Sequence, residues 1–299
     1  MDVTRMTDPP LCEGPVLSPR RPRSRIPDGA CDCHFHIFDD PSVQVPTRSY
    51  TAPEASVRQY QSMARTLGLA RGVVVQPSVY GTDNRTTLGA MPGDKTIKRI
   101  AVIAPDIDDA ALDQMADCGV VGVRVNLLFS GGSGFEDIQS IARRVAGRGW
   151  HLQFLVDVNK IEDLAGLVSS LPLPVVFDHM GHVSAAQGLE SPGFQTMLTL
   201  LERGQIWVKL SGAYRVTAES RAPYTDVAAM ARKLISTNPD NLVWGTDWPH
   251  PQIKTEMPDD GDLIDLLADW VDNEDMLRRI LVNNPERLHG FEPWDKHDS

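Results

Sequence analysis

Eight short apolar runs, separated by amphipathic stretches, are the feature of this sequence that most constrains its fold. Several runs are nearly continuous in β-branched residues, which is typical of parallel strands covered on both faces. The runs span residues 30–38, 72–79, 97–104, 120–128, 151–158, 174–180, 206–213 and 241–248. The stretches between them predict helices over 55–68, 108–118, 135–147, 160–169, 192–204, 224–236 and 262–270, with a final helix over 273–282. The pattern is weakest between the second and third runs.

This alternation predicts a single-domain (β/α)8 TIM barrel, whose typical length is about 250 residues. A doubly wound open sheet is the alternative, because alternation alone does not prove closure. No G-x-G-x-x-G motif opens a helix, which weakens the dinucleotide-binding form of that alternative. We expect the barrel over residues 28–292, a short tail over 293–299 and an irregular Pro- and Arg-rich arm over 1–27. The arm is either disordered or lies over the barrel.

The composition excludes several classes of partner. The chain has 29 basic and 40 acidic side chains, a formal charge of −11. So acidic a surface disfavours binding to nucleic acids and to anionic membranes. No apolar run approaches the ~18 residues that a helix needs to span a bilayer. Four cysteines are too few for a disulfide scaffold, so we expect reduced thiols in a cytoplasmic protein, with the Cys31 and Cys33 side chains pointing apart. The oligomeric state is left open.

Polar residues recur at the carboxyl ends of the predicted strands, where barrel enzymes carry their active sites. His34 and His36 occupy alternate positions of the first strand, so both rings can face one metal or substrate; the alternative is two histidines bonded to backbone carbonyls. His179 follows the sixth run. Asp247 ends the eighth, where a carboxylate either accepts a proton from water or caps a turn. The predicted catalytic set is therefore Asp247, His34, His36 and His179.

Further side chains at the strand ends are candidates for substrate contact. Arg124 and Arg215 are predicted anion clamps, because a guanidinium pairs with a carboxylate through two hydrogen bonds. Each could instead pair with an acidic neighbour. The other candidates share a position at a strand end or in the loop beyond it, and they are Tyr50, Gln76, Asn126, His182, Trp248 and His250.

Three other polar residues are expected to be structural. Asp178 precedes His179, so its side chain is predicted to face away from the pocket as a buried hydrogen-bonding partner. His151 begins the fifth run, at the opposite end of the barrel. His289 is expected to be solvated near the carboxyl terminus.

Four segments together resemble the amidohydrolase superfamily, and they are D-C-H-F-H at 32–36, D-H-M-G at 178–181, G-T-D-W-P-H at 245–250 and N-P-E-R-L at 284–288. More narrowly, residues 28–292 are similar to the branch containing 2-pyrone-4,6-dicarboxylate lactonase and related muconolactone hydrolases. The resemblance implies a distorted TIM barrel that opens an anionic lactone with water in aromatic-compound catabolism. It also implies that Asp247 deprotonates the water and later protonates the leaving oxygen. The three histidines would polarise the lactone carbonyl or hold a metal that does so.

The chain departs from this family pattern at several positions. Many members carry a metal-bridging Lys or Glu on the fourth strand and a metal-binding His on the fifth, where this chain has R-V-N at 124–126 and Q-F-L-V-D at 153–157. A binuclear centre is therefore not expected. One zinc or manganese ion on His34, His36, His179 and Asp247, or metal-free hydrolysis, both stay open.

Two arginines of the pyrone lactonase type are also missing. His182 and the uncharged segment 130–132 stand where they would lie. This indicates a substrate of different charge or shape, such as a muconolactone with or without a sulfonate group.

Two other activities of the superfamily are alternatives, a lactone isomerase and a non-oxidative decarboxylase. Related isomerases lose parts of the H-x-H motif and the strand-eight aspartate, and both are kept here. Decarboxylases usually carry a further metal-binding histidine, for which the sequence offers no clear candidate. A non-catalytic binding protein would not need the full polar set.

Overall fold

The computed structural model describes residues 9–129, 134–271 and 273–294 and forms one barrel of eight parallel strands in sequential order. Every predicted run contains a strand, so the predicted TIM-barrel fold is confirmed. The strands are β1 Cys31–Phe35, β2 Arg71–Val75, β3 Ile97–Ala101, β4 Val120–Asn126, β5 His151–Leu155, β6 Val175–Phe177, β7 Ile206–Leu210 and β8 Leu242–Trp244.

The barrel closes between β1 and the segment that follows β8. The Asp247 amide donates to His34 O at 2.7 Å, and the His36 amide donates to Trp248 O at 2.8 Å. The buried Asp32 carboxylate accepts from the Thr246 amide at 2.9 Å and from its hydroxyl at 2.7 Å. Closure therefore brings His34 of β1 and His36, which directly follows β1, beside Asp247.

The helices follow the predicted stretches. Ser56 opens the first helix with a capping box, and aspartates cap several others, since their carboxylates accept from free amides of the first turn. The helices are α1 Val57–Leu67, α2 Arg85–Gly89, α3 Asp109–Asp117, α4 Ile138–Val145, α5 Leu164–Ser169, α6 Pro192–Glu202, α7 Ala213–Val216, α8 Ala228–Thr237, α9 Asp260–Trp270, α10 Glu274–Arg278 and α11 Asn284–His289. The weakly patterned stretch holds the short α2. The sequence did not predict α7 or α11, because helices of four and six residues are too short to show periodicity. None of the helices described is long and apolar enough to cross a membrane.

The second half of the arm lies against α9, while Pro10 and Cys12 form backbone hydrogen bonds with Thr51. The Arg20 guanidinium contacts Asp262 at 2.5 Å and the buried Asp265 at 2.6 Å. Arg23 reaches Asp265 and Asp269 on the same helix. These ion pairs tie the arm to the barrel, while its boundary at residue 27 and that of the tail at 293 stay predictions.

All four cysteines are free thiols. The prediction that Cys31 and Cys33 point apart was wrong, because their sulfurs lie 3.7 Å from each other. Residues two apart on a strand share a face, so the two thiols must be neighbours.

Two buried histidines face each other at the amino-terminal end of the barrel. The rings of His151 and His289 lie 5.2 Å apart, and none of their four nitrogens has a hydrogen-bond partner among the described residues. The prediction that His289 is solvated was wrong, because α11 buries it. Burial lowers the pKa of both rings, that of His151 to about 3.

This pair should make the fold sensitive to acid. The unfolded chain binds protons below about pH 6.5, the ordinary histidine pKa, whereas the buried rings stay neutral. Stability is therefore full above that pH and falls as the pH drops towards the lowered folded pKa. Replacing His151 or His289 by Gln should reduce the slope of unfolding free energy against pH by up to about 1.4 kcal/mol per pH unit. Urea unfolding across that range measures the slope, and an unchanged slope in both variants would contradict the assignment.

Candidate active site

A small cavity lies at the carboxyl ends of the strands, as expected for a barrel enzyme. Its volume is about 20 Å³, which is enough for one water molecule and too little for a lactone. Seven of the predicted site residues line it, namely His36, Tyr50, Arg124, Asn126, His179, Arg215 and Asp247. The sequence did not single out the other lining residues, Ser78, Phe129, Leu155, Pro251 and Gln252.

Asp247 presents one occupied and one free carboxylate oxygen. Its Oδ2 accepts from the Tyr214 hydroxyl at 2.6 Å and from Arg215 Nε at 2.5 Å. Its Oδ1 has no hydrogen-bond partner among the residues described. Burial raises the pKa of Asp247, but the Arg215 guanidinium outweighs that effect and holds the pKa well below its usual range. Asp247 is thus an ionised carboxylate with a single oxygen available to a proton.

Three neutral histidine rings surround this carboxylate. The Nε2 atoms of His34 and His36 each lie 3.6 Å from Asp247 Oδ1, and His179 Nε2 lies 3.7 Å from Oδ2. Burial lowers the pKa of all three rings, that of His34 to about 3 with a further contribution from Lys209. The rings therefore stay neutral near pH 7 and offer lone pairs to the site.

The hydrogen bonds of the far ring nitrogens fix how these rings are turned. His36 Nδ1 lies 2.7 Å from Val75 O, and since a carbonyl only accepts, Nδ1 carries the proton and Nε2 is bare. His179 Nδ1 lies 2.9 Å from Ser211 Oγ. His179 reaches the cavity because its backbone leaves the strand direction with a φ of 49°.

A buried ion pair below the histidines was missed from the sequence. Lys209 Nζ donates to Cys33 O and Gln153 Oε1 and lies 3.3 Å from Asp178 Oδ1. Asp178 Oδ1 is also 3.4 Å from His34 Nδ1. Asp178 is a buried partner as expected, but the prediction that it faces away was wrong, since it points into the barrel beneath the site. The signal for Lys209 was a lone lysine within the apolar run Ile206–Leu210.

Both predicted anion clamps face the cavity and also pair with buried carboxylates. Arg124 Nη2 lies 3.2 Å from Asp178 Oδ2, while its Nε has no partner among the residues described. Arg215 donates to Asp247 through Nε and to Pro251 O through Nη2 at 3.0 Å. The two guanidiniums give the cavity a local positive charge inside an acidic protein.

Two smaller candidates, Tyr50 and Asn126, also line the cavity. Burial raises the pKa of the Tyr50 phenol, so it stays a hydrogen-bond donor. Asn126 Oδ1 accepts from two backbone amides of the following loop, which leaves its Nδ2 without a partner in the described part of the chain. Both side chains can donate to an anionic ligand.

Four predicted contacts lie outside the lining. Gln76 is held by backbone carbonyls of the loop that follows β2, at Gly81 and Asp83. The Trp248 ring packs edge-on against Tyr60 in the core. His182 stands behind His179 with a ring separation of 5.6 Å.

His250 is the fourth of these residues. Its two ring nitrogens contact Tyr214 and Asp260 rather than the cavity. The uncharged segment 130–132, predicted to stand where the related lactonases have an arginine, lies outside the described residues.

The site offers a donor set for one divalent cation. One ligand atom from each of His34, His179 and Asp247 lies within 4.8 Å of the others. His34 Nε2 and Asp247 Oδ1 are buried and lack hydrogen-bond partners among the described residues, as expected of atoms that bind a metal ion. Imidazole and carboxylate donors suit zinc and manganese. The predicted fourth ligand, His36, falls outside this group of three.

A parallel barrel with two histidines at the end of β1, a histidine after β6 and an aspartate after β8 defines a hydrolase-type site of one known class. The family model described as Amidohydrolase matches residues 31–291. This chain belongs to that family, as its motifs indicated.

Several known proteins are similar over almost the whole chain. A 4-sulfomuconolactone hydrolase of Hydrogenophaga intermedia is 38% identical over 94% of this chain and 95% of its own. A 2-pyrone-4,6-dicarboxylate hydrolase of Comamonas testosteroni is 35% identical, covering 91% and 93%. A D-galactarolactone isomerase of Agrobacterium fabrum is 27% identical, covering 93% and 96%. A crystal structure of an Agrobacterium tumefaciens protein superposes with a TM-score of 0.82 at 28% identity, covering 91% and 99%.

Proposed function

We propose that this protein hydrolyses an anionic lactone derived from aromatic-compound catabolism, with Asp247 as the base that activates water. The observation that carries the proposal is the free Oδ1 of an ionised Asp247, buried in a cavity the size of one water and flanked by two arginines. Two relatives support the proposal, since one is named a 4-sulfomuconolactone hydrolase and the other a 2-pyrone-4,6-dicarboxylate hydrolase.

The reaction follows from this geometry. Asp247 Oδ1 takes a proton from water while the water oxygen attacks the lactone carbonyl carbon. The ring C–O bond then breaks, and Asp247 returns the proton to the leaving oxygen, which yields a hydroxy acid. Because the cavity holds only a water, we expect lining residues such as Tyr50, Pro251 and Gln252 to move when a lactone binds.

Whether hydrolysis needs a metal ion depends on which histidines can bind a metal and which can donate a hydrogen bond to the lactone carbonyl. His34, His179 and Asp247 would hold one zinc or manganese ion, which supplies carbonyl polarisation and a more acidic water when bound. With its Nδ1 donating to Val75 O, His36 presents a lone pair at Nε2 and cannot donate from that atom to a carbonyl oxygen. This favours the metal-assisted form, and metal-free hydrolysis, with His34 or His179 as donor, is the alternative.

Removal of metal should distinguish these two forms. We expect elemental analysis to find about one zinc or manganese ion per chain, because three ligands converge on one point. Chelation should abolish turnover, and the ion should restore it. A chelated preparation that contains no metal and stays fully active would contradict the metal-assisted form.

The substrate class can be tested with a panel of lactones, scored for both ring opening and binding. We expect hydrolysis of 4-sulfomuconolactone or 2-pyrone-4,6-dicarboxylate, whose anionic groups Arg124 and Arg215 can bind, and none of the uncharged γ-butyrolactone. The replacement of one family arginine by His182, and of the other by the uncharged segment 130–132, favours a muconolactone with or without a sulfonate group. Lactones that bind but never open would contradict the proposal and indicate a binding protein.

An isomerase is the second candidate, favoured by the D-galactarolactone relative. The complete set of His34, His36 and Asp247 favours hydrolysis over isomerisation.

The charge of −11 and the four free thiols further support a cytoplasmic enzyme that has neither a nucleic-acid nor a membrane partner.

A further inference from the structure

Residues 9–12 of the arm, here called the strap, are hydrogen-bonded to two loops that line the cavity. The Cys12 amide donates to Thr51 O at 2.9 Å, and the Thr51 amide donates to Pro10 O at 2.8 Å. On the other loop, the Gln252 amide donates to Cys12 Sγ at 3.4 Å. The strap therefore contacts the loop after β1 and the loop after β8 at once.

The two loops are also tied to each other and to the cavity. Gln252 lines the cavity, and so does Tyr50, which directly precedes Thr51. The Gln252 side chain donates through Nε2 to Ser49 O at 3.3 Å. Since Thr51 and Gln252 carry the contacts with the strap, a displacement of either loop would break some of them.

A lactone needs room that the strand ends cannot supply. The cavity has a volume of about 20 Å³. Asp247 is fixed in the barrel wall by the hydrogen bond of its amide to His34 O, and Asn126 belongs to β4. Loops are the parts of a barrel that move most readily when a ligand binds. We therefore expect Tyr50 and Gln252 to yield the space, and the strap contacts to break with their movement.

The strap is held mainly by these hydrogen bonds. The Leu11 side chain is 72% exposed, so apolar burial at this residue does not fix the strap. One hydrogen bond contributes roughly a fivefold factor to an equilibrium between two forms. The ion pairs of Arg20 and Arg23 with α9 anchor the arm beyond the strap. The strap can therefore detach while the rest of the arm stays in place.

We propose that the strap is an autoinhibitory contact, which stabilises the narrow form of the site that excludes the lactone. Its hydrogen bonds exist in the narrow form and break when the loops move apart, so each one shifts the equilibrium away from the open form. The apparent affinity for substrate is reduced in proportion to the fraction of molecules in the open form. This inference rests on the proposed function, since it takes the lactone to bind in this cavity.

Kinetics of a Thr51→Val variant test the proposal with the lactone that the wild type opens fastest. Valine keeps the shape of threonine but lacks the hydroxyl that donates to Pro9 O at 2.7 Å. We expect kcat/KM to rise about fivefold, the effect of one hydrogen bond on the opening equilibrium, while kcat does not fall. Leu11→Ala is the matched control, because shortening this exposed side chain leaves the backbone bonds of the strap intact. Its kcat/KM should equal that of the wild type.

Removal of residues 2–12 releases the strap without a change at Thr51. The Thr51 hydroxyl also accepts from Arg48 Nη2 at 3.3 Å, and the deletion keeps this acceptor. We expect kcat/KM to rise about 10-fold or more, because several hydrogen bonds are lost together. Thermal unfolding reports whether each variant is folded. An unchanged or lower kcat/KM in either folded variant would overturn the proposal, since the strap would then not oppose binding.

Amide hydrogen exchange tests the strap without substrate. The Ala52 amide lies in the loop after β1 and donates to Gln44 Oε1. The His250 amide lies in the loop after β8 and donates to Asp247 O. Both should exchange at least about fivefold faster in the deletion variant, while the Val125 amide in β4 should keep its rate.

Neither loop amide donates to the arm, so faster exchange would report looser loops and not merely a lost acceptor. Unchanged exchange of both loop amides would overturn the inference whatever the activity. If the loops loosen but no lactone is hydrolysed, the proposed function fails while the role of the strap in holding the loops stands.

Discussion

Replacing Asp247 by Asn is expected to lower kcat by about 10³-fold while leaving the fold intact. Asparagine keeps the shape of aspartate, and its carbonyl oxygen can still accept from Tyr214 and Arg215. It cannot take a proton, so water in the cavity loses its base. Turnover of the best lactone in the panel measures kcat, and thermal unfolding reports the fold.

The matched control for this change is Asp240→Asn. Asp240 lies just before β8, is 57% exposed and pairs with Arg279, far from the cavity. We expect wild-type turnover from this variant. An Asp247→Asn protein that keeps more than about a tenth of wild-type kcat would remove Asp247 from its assigned role.

Replacing Arg215 by Met should have the second largest effect on kcat/KM, because Arg215 both donates to Asp247 and faces the substrate. It donates to Asp247 Oδ2 at 2.5 Å, and it is one of two cations that face the substrate. Truncating one partner of a buried charge pair costs about 2–5 kcal/mol, so kcat/KM should fall by roughly 30-fold or more. Both kcat and KM should change, since base and anion binding are lost together.

Two comparisons sharpen this expectation. Arg215→Lys should not restore activity, because an ammonium cannot reproduce the planar guanidinium contacts. Arg124→Met leaves the contacts of Asp247 Oδ2 in place and should raise KM more than it lowers kcat. If Arg215→Met raised KM alone, Arg215 would be only an anion clamp and would not support the base.

The positions of the central site residues could be read from the sequence because strand ends in a barrel converge. His34, His36 and Asp247 all end predicted runs, and closure between β1 and β8 brings them together. Side-chain direction was harder to predict. The departure of His179 from the strand direction turned both it and Asp178 inward, which alternation along a strand does not foresee.

Buried residues that do not line the cavity could not be identified from their positions in the sequence. Lys209 interrupts an apolar strand, yet only the three-dimensional pairing with Asp178 gives it a partner. Asp260 looks like any acidic residue in the first turn of a helix until His250 is seen beside it. Trp248 sits in the right motif, but packing against Tyr60 turns its ring into the core.

In the proposed mechanism, one oxygen atom of the product's new carboxylate comes from water. In ¹⁸O-labelled water with enzyme in excess over lactone, a single turnover should place one ¹⁸O in the new carboxylate, because the activated water attacks the carbonyl itself. A first-turnover product that carries no label would contradict the account: it would indicate isomerisation, or attack by Asp247 in place of water.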